Sequence, residues 1–140
     1  MENQNQQTLA YQFQYLREQK DMYEQNLNFI DASLNNLINT KKTVENLQDI
    51  EEGEEILVPI GGMVNIKANI KQNNKVLLSV SDDVVIEKTL EGSSEFLEQL
   101  IEQHREQKKF LNEQLQKIEV NLQGISQYFQ RSMGQQPPQQ

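Results

Sequence analysis

The chain has no cysteine and no tryptophan, and only three prolines and six glycines in 140 residues. Without cysteine there is no disulfide, no thiolate metal site and no thiol nucleophile. A single histidine, His104, leaves no imidazole pair for zinc or for acid–base work. Apolar residues are scarce as well: 36% of the chain, with a mean hydropathy of -0.75. That is below the usual share of a compact soluble domain. The longest apolar run, residues 56–60, is far short of the roughly 20 residues that cross a bilayer. The polar opening Met1-Glu2-Asn3-Gln4-Asn5-Gln6 has no signal-peptide h-region. No membrane partner and a cytoplasmic location are therefore expected. Net charge is -8 and no basic face is in sight, which argues against nucleic acid.

What is plentiful is amide. Asn and Gln fill about a quarter of the chain, and they supply little volume for a thick core. Such a chain either stays disordered or buries narrow stripes. The spacing of the apolar residues decides for stripes. Alternate steps of four and three from Leu9 reach Leu9, Phe13, Leu16, Lys20, Tyr23, Leu27, Ile30, Leu34, Leu37, Lys41 and Val44. The same steps from Leu97 reach Leu97, Ile101, His104, Lys108, Leu111, Leu115, Ile118, Leu122, Ile125 and Phe129. A sustained 3.5-residue repeat predicts coiled-coil helices over 1–50 and 93–132. At 1.5 Å per residue each is a rod of about 60 Å. Gly92-Ser93-Ser94 offers the second helix an N-cap, with Glu95 and Glu98 in its first turn. The tail 134–140, with its two prolines, is expected to be disordered.

Two helices of equal length in one chain pair most simply with each other, antiparallel because the linker returns the chain. Lys20, Lys41, His104 and Lys108 interrupt the seam. The linker's register is expected to leave Lys41 near His104 and Lys108 rather than opposite acids, a locally weaker stretch from which lysine stems snorkel.

Between the helices, over 54–91, the period drops to two. Ile56, Val58 and Ile60 alternate, then Val64, Ile66, Ala68 and Ile70, then Val76, Leu78 and Val80, then Val84 and Ile86. Turn pairs fall at Gly61-Gly62, Asn73-Asn74 and Asp82-Asp83, types that tolerate positive φ. Four short strands need an apolar cover, and bare edges invite uncontrolled pairing. The β region is thus expected to be an oligomerisation module completed by other chains. The fold class is α+β: a long antiparallel two-helix coiled coil with two short β-hairpins at the connecting end.

Chemistry is sparse. His104 reads as a seam residue, and Gly61-Gly62 lacks the Gly-Lys-Ser/Thr of a phosphate loop. Glu51, Glu52, Glu54 and Glu55 lack the spacing of a calcium loop. No enzyme activity, metal or cofactor is expected. The remaining feature is aromatic: Tyr11, Phe13 and Tyr15 near one chain end, Tyr128 and Phe129 near the other, with Leu9, Leu16, Ile125 and Met133 beside them. Tyr11, Tyr15 and Tyr128 lie off the seam positions, so pairing of the helices does not account for them.

Ile56-Leu57-Val58-Pro59-Ile60-Gly61-Gly62, followed by alternating Val64, Ile66 and Ala68, sits between two coiled-coil segments. In this the chain resembles the α-class subunit of archaeal-type prefoldin, with four strands rather than two pointing to the α class. The resemblance implies an ATP-independent holdase chaperone, a hexamer of two α and four β-class subunits (α2β4). It implies a β platform built here from Ile56, Val58, Ile60, Val64, Ile66, Val76, Leu78, Val80, Val84 and Ile86. It also implies that unfolded clients are held at coiled-coil tips, Leu9, Tyr11, Phe13, Tyr15, Leu16, Ile125, Tyr128, Phe129 and Met133, and passed to a group II chaperonin. The competing expectation is a prefoldin-like structural or filament-forming protein without client transfer.

Overall fold

The computed structural model describes residues 2–134. It contains a helix α1 (Glu2–Asn46), strands β1 (Glu55–Gly61), β2 (Val64–Asn69), β3 (Lys75–Ser81) and β4 (Val84–Thr89), and a helix α2 (Leu90–Gly134). Of the tail expected at 134–140, Gly134 is the last residue of α2; the rest lies outside the described residues. The chain divides into two compact units. One is Ser33–Gln103, with the hairpins; the other is Met1–Ala32 with His104–Gln140.

Within each unit the helices bury a narrow stripe. On α2 the buried apolar residues include Leu90 and Leu97 in one unit, and Leu111, Ile118 and Ile125 in the other. They recur at a spacing of seven, and Ile101, the most deeply buried apolar side chain at 2% exposure, stands beside that column at the other seam position. His104 holds the remaining place in that column and is half-buried. Burying a Leu or Ile side chain contributes about 1.5–3 kcal/mol, so a stripe this narrow holds the pair together only over many turns. Beside the hairpins the stripe widens into a small core of Val44, Leu90 and Leu97, with Leu37, Leu47 and Val76 packed on it.

The seam lysines do meet acids, contrary to the expectation for Lys41. Its ammonium lies 2.6 Å from Glu98, Lys108 lies 2.7 Å from Asp31, and Lys20 lies 3.7 Å from Glu119. In every case the two residue numbers add up to 139, so all three pairs obey one antiparallel register. Each lysine occupies the first core position of its heptad, and each acid directly follows the second core position of the opposite helix. A lysine stem lies along the apolar stripe while its head turns out to that flanking carboxylate.

Helix α1 stops at Asn46 and passes into a 3-10 turn, Leu47–Asp49, before Ile50 adopts extended backbone. Gly53, at φ 84°, then reverses the chain, and its N–H donates to the Ile70 carbonyl at 2.7 Å. The Asn73 side-chain amide donates to the Ile50 carbonyl, and the Asn74 carbonyl accepts from Leu90 N–H. The asparagine pair therefore ties the strands to the helix ends, and no residue other than glycine has positive φ among the described residues. Helix α2 begins at Leu90 rather than at the expected Gly92-Ser93-Ser94 cap. Thr89 is the cap: its hydroxyl accepts from Gly92 N–H at 3.0 Å, satisfying one of the donors a helix start leaves unpaired. Ser93 is fully buried inside the first turn.

The strands form two separate antiparallel hairpins, β1–β2 and β3–β4. They are a 20-residue internal repeat. Glu55 pairs with Asn69 as Lys75 pairs with Thr89, and Gly61 with Val64 as Ser81 with Val84. Each register shifts at the same place, between Pro59 and Gly61 and between Ser79 and Ser81. In the first hairpin the shift and turn use Gly61 at φ 147° and Gly62 at φ 49°. Among the described residues neither hairpin has a third strand, and an isolated two-stranded hairpin is marginal in water.

Two measurements check this description. The hydrogen bond from Lys41 to Glu98 raises its pKa above 10.5, against desolvation and with help from the charges of Glu98 and Glu45. Its stabilising contribution is complete below pH 10.5 and is lost as pH climbs through the raised value. Denaturation of wild type and Lys41→Met should therefore differ most near neutral pH and converge at strongly alkaline pH. A Cβ at Gly124 meets nothing within 4 Å, so Gly124→Ala should stabilise the helix by roughly 0.5–1 kcal/mol. Calorimetry would show this as a Tm higher by roughly 2–5 °C.

Candidate interaction surfaces

The hairpin residues expected to form the platform fall into two groups. Ile56, Val58, Val76, Leu78 and Ile86 are half-buried. Ile60, Val64, Ile66, Val80 and Val84, toward the turns, are exposed. Those five side chains share the apolar face that strand alternation creates. Nothing among the described residues covers them. The opposite face holds apolar residues that alternation alone does not flag: Leu57 is 65% exposed, Leu77 72% and Val85 55%. Met63, in the first turn, is 98% exposed. Their sequence signal is the doublets Leu77-Leu78 and Val84-Val85, in which one member must face away.

The candidate residues near the chain ends all lie in the unit Met1–Ala32 with His104–Gln140, and they also divide. Ile125 is buried, and Leu9, Phe13, Leu16 and Phe129 are half-buried in the seam. Tyr11 (74% exposed), Tyr15, Tyr128 and Met133 stand in solvent. The Tyr15 hydroxyl accepts from the Gln19 amide at 2.9 Å, one turn along, and Tyr128 meets Phe129 edge-on at 6.3 Å. Phe13 packs under the Arg17 guanidinium, 6.0 Å from the ring centre. An open groove runs past Leu9, Ile125 and Tyr128, with Val120 and Gly124 on its wall. Because Gly124 has no side chain and faces open space, the groove wall is bare backbone there.

Four exposed side chains in the same unit escape a search restricted to chain ends: Met22, Phe29, Phe110 and Val120. Tyr15, Met22 and Phe29 are spaced by seven, and Tyr11 lies one turn before Tyr15. They form an outward stripe on α1, on the side away from its seam positions. Among the described residues, no group of three or more His, Asp or Glu side chains converges as metal ligands would. No helix there is long and apolar enough to cross a membrane.

Comparison with known proteins fits this architecture. The family model described as prefoldin subunit matches residues 16–135. Prefoldin subunit alpha 1 of Thermococcus kodakarensis is 38% identical over 69% of this chain and 66% of its own length. Prefoldin subunit alpha of Pyrococcus horikoshii is 31% identical over 81% of this chain and 78% of its own. Filamentous prefoldin from Methanocaldococcus jannaschii superposes with a TM-score of 0.71 at 18% identity, over 81% of this chain and 93% of the other, a likeness of fold. Paired helices, two hairpins between them and relatives of this kind place the chain in the prefoldin family, among the archaeal alpha subunits.

Proposed function

We propose that this chain is a subunit of an ATP-independent holdase that captures unfolded proteins at the free ends of its helices and delivers them to a group II chaperonin. The observation that carries the reading is the exposure of Tyr11, Tyr15, Tyr128 and Met133. Packing of the seam does not use them, and an unfolded chain offers the apolar segments that would. Tyrosine suits loose capture, since its ring buries apolar area and its hydroxyl stays in water. Each such contact is weak, and several subunits acting together supply avidity. The exposed hairpin face would join β-class subunits, in an α2β4 hexamer acting in the cytoplasm. Five exposed aliphatic side chains, three on the first marginal hairpin and two on the second, favour a second, obligate chain.

The second reading is an open-ended polymer without client transfer. It is favoured by apolar side chains on both faces of each hairpin, because a two-sided module adds further copies where a one-sided module closes.

Aggregation of an unfolded client, followed by light scattering in the presence of the assembled complex, tests the first reading. The variant Tyr11→Ser, Tyr15→Ser, Tyr128→Ser, Met133→Ser should lose most of the suppression while the complex keeps its mass and helicity. Suppression equal to wild type would refute client capture at these ends.

A further inference from the structure

In the unit Met1–Ala32 with His104–Gln140, the ion pairs of Lys20 with Glu119 and of Lys108 with Asp31 each use an acid that follows a second core position. One such acid is on each helix, so the two pairs mark a single side of the seam. That side carries charge, as in Arg17, Glu24 and Asp31. The opposite side is built differently. The residue just before each first core position is Gln12, Gln19 and Asn26 on α1, and Gln107, Gln114 and Asn121 on α2. All six are amides. Next to this amide floor, two residues after each first core position, stand Tyr15, Met22 and Phe29 on α1 and Phe110 on α2, all exposed. Under the register of the ion pairs, Phe29 is level with Phe110, and Tyr15 with Gly124. No acid occupies either set of positions from Asn5 to Phe29 or from Gln107 to Arg131, in a chain of net charge -8. The open groove past Leu9 and Tyr128 lies on this side, with Gln12 and Asn121 in its lining.

We infer that this side of the helix pair holds an extended polypeptide segment by its main chain, the amides bonding backbone N–H and C=O groups while the flanking rings cover the strand. A side-chain amide carries both donors and an acceptor, which is the pattern an extended backbone offers at every residue. In a folded protein those backbone groups are already paired. An amide floor therefore tells unfolded from folded chain without reading sequence, as main-chain bonds do when a peptide joins a sheet edge. Gln19 lies within one residue of the level of Asn121, and Asn26 within one of Gln114, so the amides form rungs across the seam. Seven residues of helix set the rungs about 10 Å apart, the length of about three extended residues. The Gln19 amide donates to the Tyr15 hydroxyl, which joins floor to wall. Charge selects the occupant as well. A neutral or acidic segment meets Lys117 and Arg131 on this side, whereas the other side would set it against Glu24, Asp31 and Glu119. The inference rests on the reading of client capture, and adds which feature of the client is bound and along which side.

The test follows a fluorescein-labelled peptide of leucine, serine and glutamate by anisotropy as the full-length chain is added. The peptide has about ten residues, enough to span the amide floor. A second form carries ester links in place of alternate amides, which removes N–H donors and keeps every side chain. The ester form should bind about ten-fold more weakly. The variant Gln12→Ala, Asn26→Ala, Gln114→Ala, Asn121→Ala places a strong helix former at each site. It should keep wild-type helicity, bind the all-amide peptide about ten-fold more weakly, and no longer distinguish the two forms. Lysine in place of glutamate in the peptide should weaken binding about three-fold. Equal binding of the amide and ester forms by wild type would overturn the inference and leave capture by apolar contact standing. A variant that still tells the forms apart would do the same. So would tighter binding of the same peptide stapled as a helix, since its backbone groups are already paired. Absence of binding by every form at about 1 mM would instead overturn client capture itself, and this inference with it.

Discussion

A lysine in the core of a two-helix seam must carry its charge to a carboxylate within reach of its stem, and here three lysines do so under a single register. Apolar burial alone specifies that register poorly, because a column of leucines and isoleucines spaced by seven looks the same after a slip of one heptad. The ion pairs do not. One slip would bring Lys41 level with Arg105 and Lys108 level with Ile38, losing the pairs. The opposite slip would leave Lys20 facing Asn112 but still set Lys41 by Glu91 and Lys108 by Glu24, so the lysines oppose one slip strongly and the other weakly. Half-exposed pairs contribute little net stability each. Their value is in telling one alignment from its neighbours, as polar groups at coiled-coil core positions do elsewhere.

Around the turn end, the same economy recurs with different means. Among the described residues the strands make no sheet of four, only a hairpin made twice, each copy marginal alone. A duplicated hairpin raises a problem that a unique one does not: every partner surface sees two nearly equal targets. The two copies share strand length and register and differ in their side chains. The two turns differ as well, Gly62-Met63 against Asp82-Asp83, one apolar at its apex and the other doubly acidic.

Much of this was legible in the sequence, for reasons that differ by element. The seam was, because steps of four and three give only one way to bury an apolar stripe in an amide-rich helix. The hairpins were, because their period is two and their turns hold glycine or aspartate pairs. The lysine partners were not, since heptad counting follows core positions, whereas Glu98, Asp31 and Glu119 stand one residue beyond them. Thr89 was missed as the helix cap because Ser93 and Ser94 are equally good capping residues; the bond from Gly92 N–H to the Thr89 hydroxyl settles the matter. Leu57, Leu77 and Val85 were missed because alternation assigns one face to apolar residues and takes the other as polar. The aromatic end zones were legible as zones, yet five of their nine residues serve the seam, and only three-dimensional burial separates Phe13 from Tyr15.

The column of α2 residues at strict intervals of seven has a consequence for inheritance. A helix that pairs with an antiparallel neighbour under one register tolerates no single insertion: one extra residue rotates everything beyond it by about 100° and turns the stripe out of the seam. Lengthening without locally over- or underwinding the coil comes in whole heptads, and only if both helices gain them at matching heights. Descendants of such a chain should therefore differ in length by paired steps of seven, while the hairpins between the helices stay unchanged. Its length is a quantised character, copied twice.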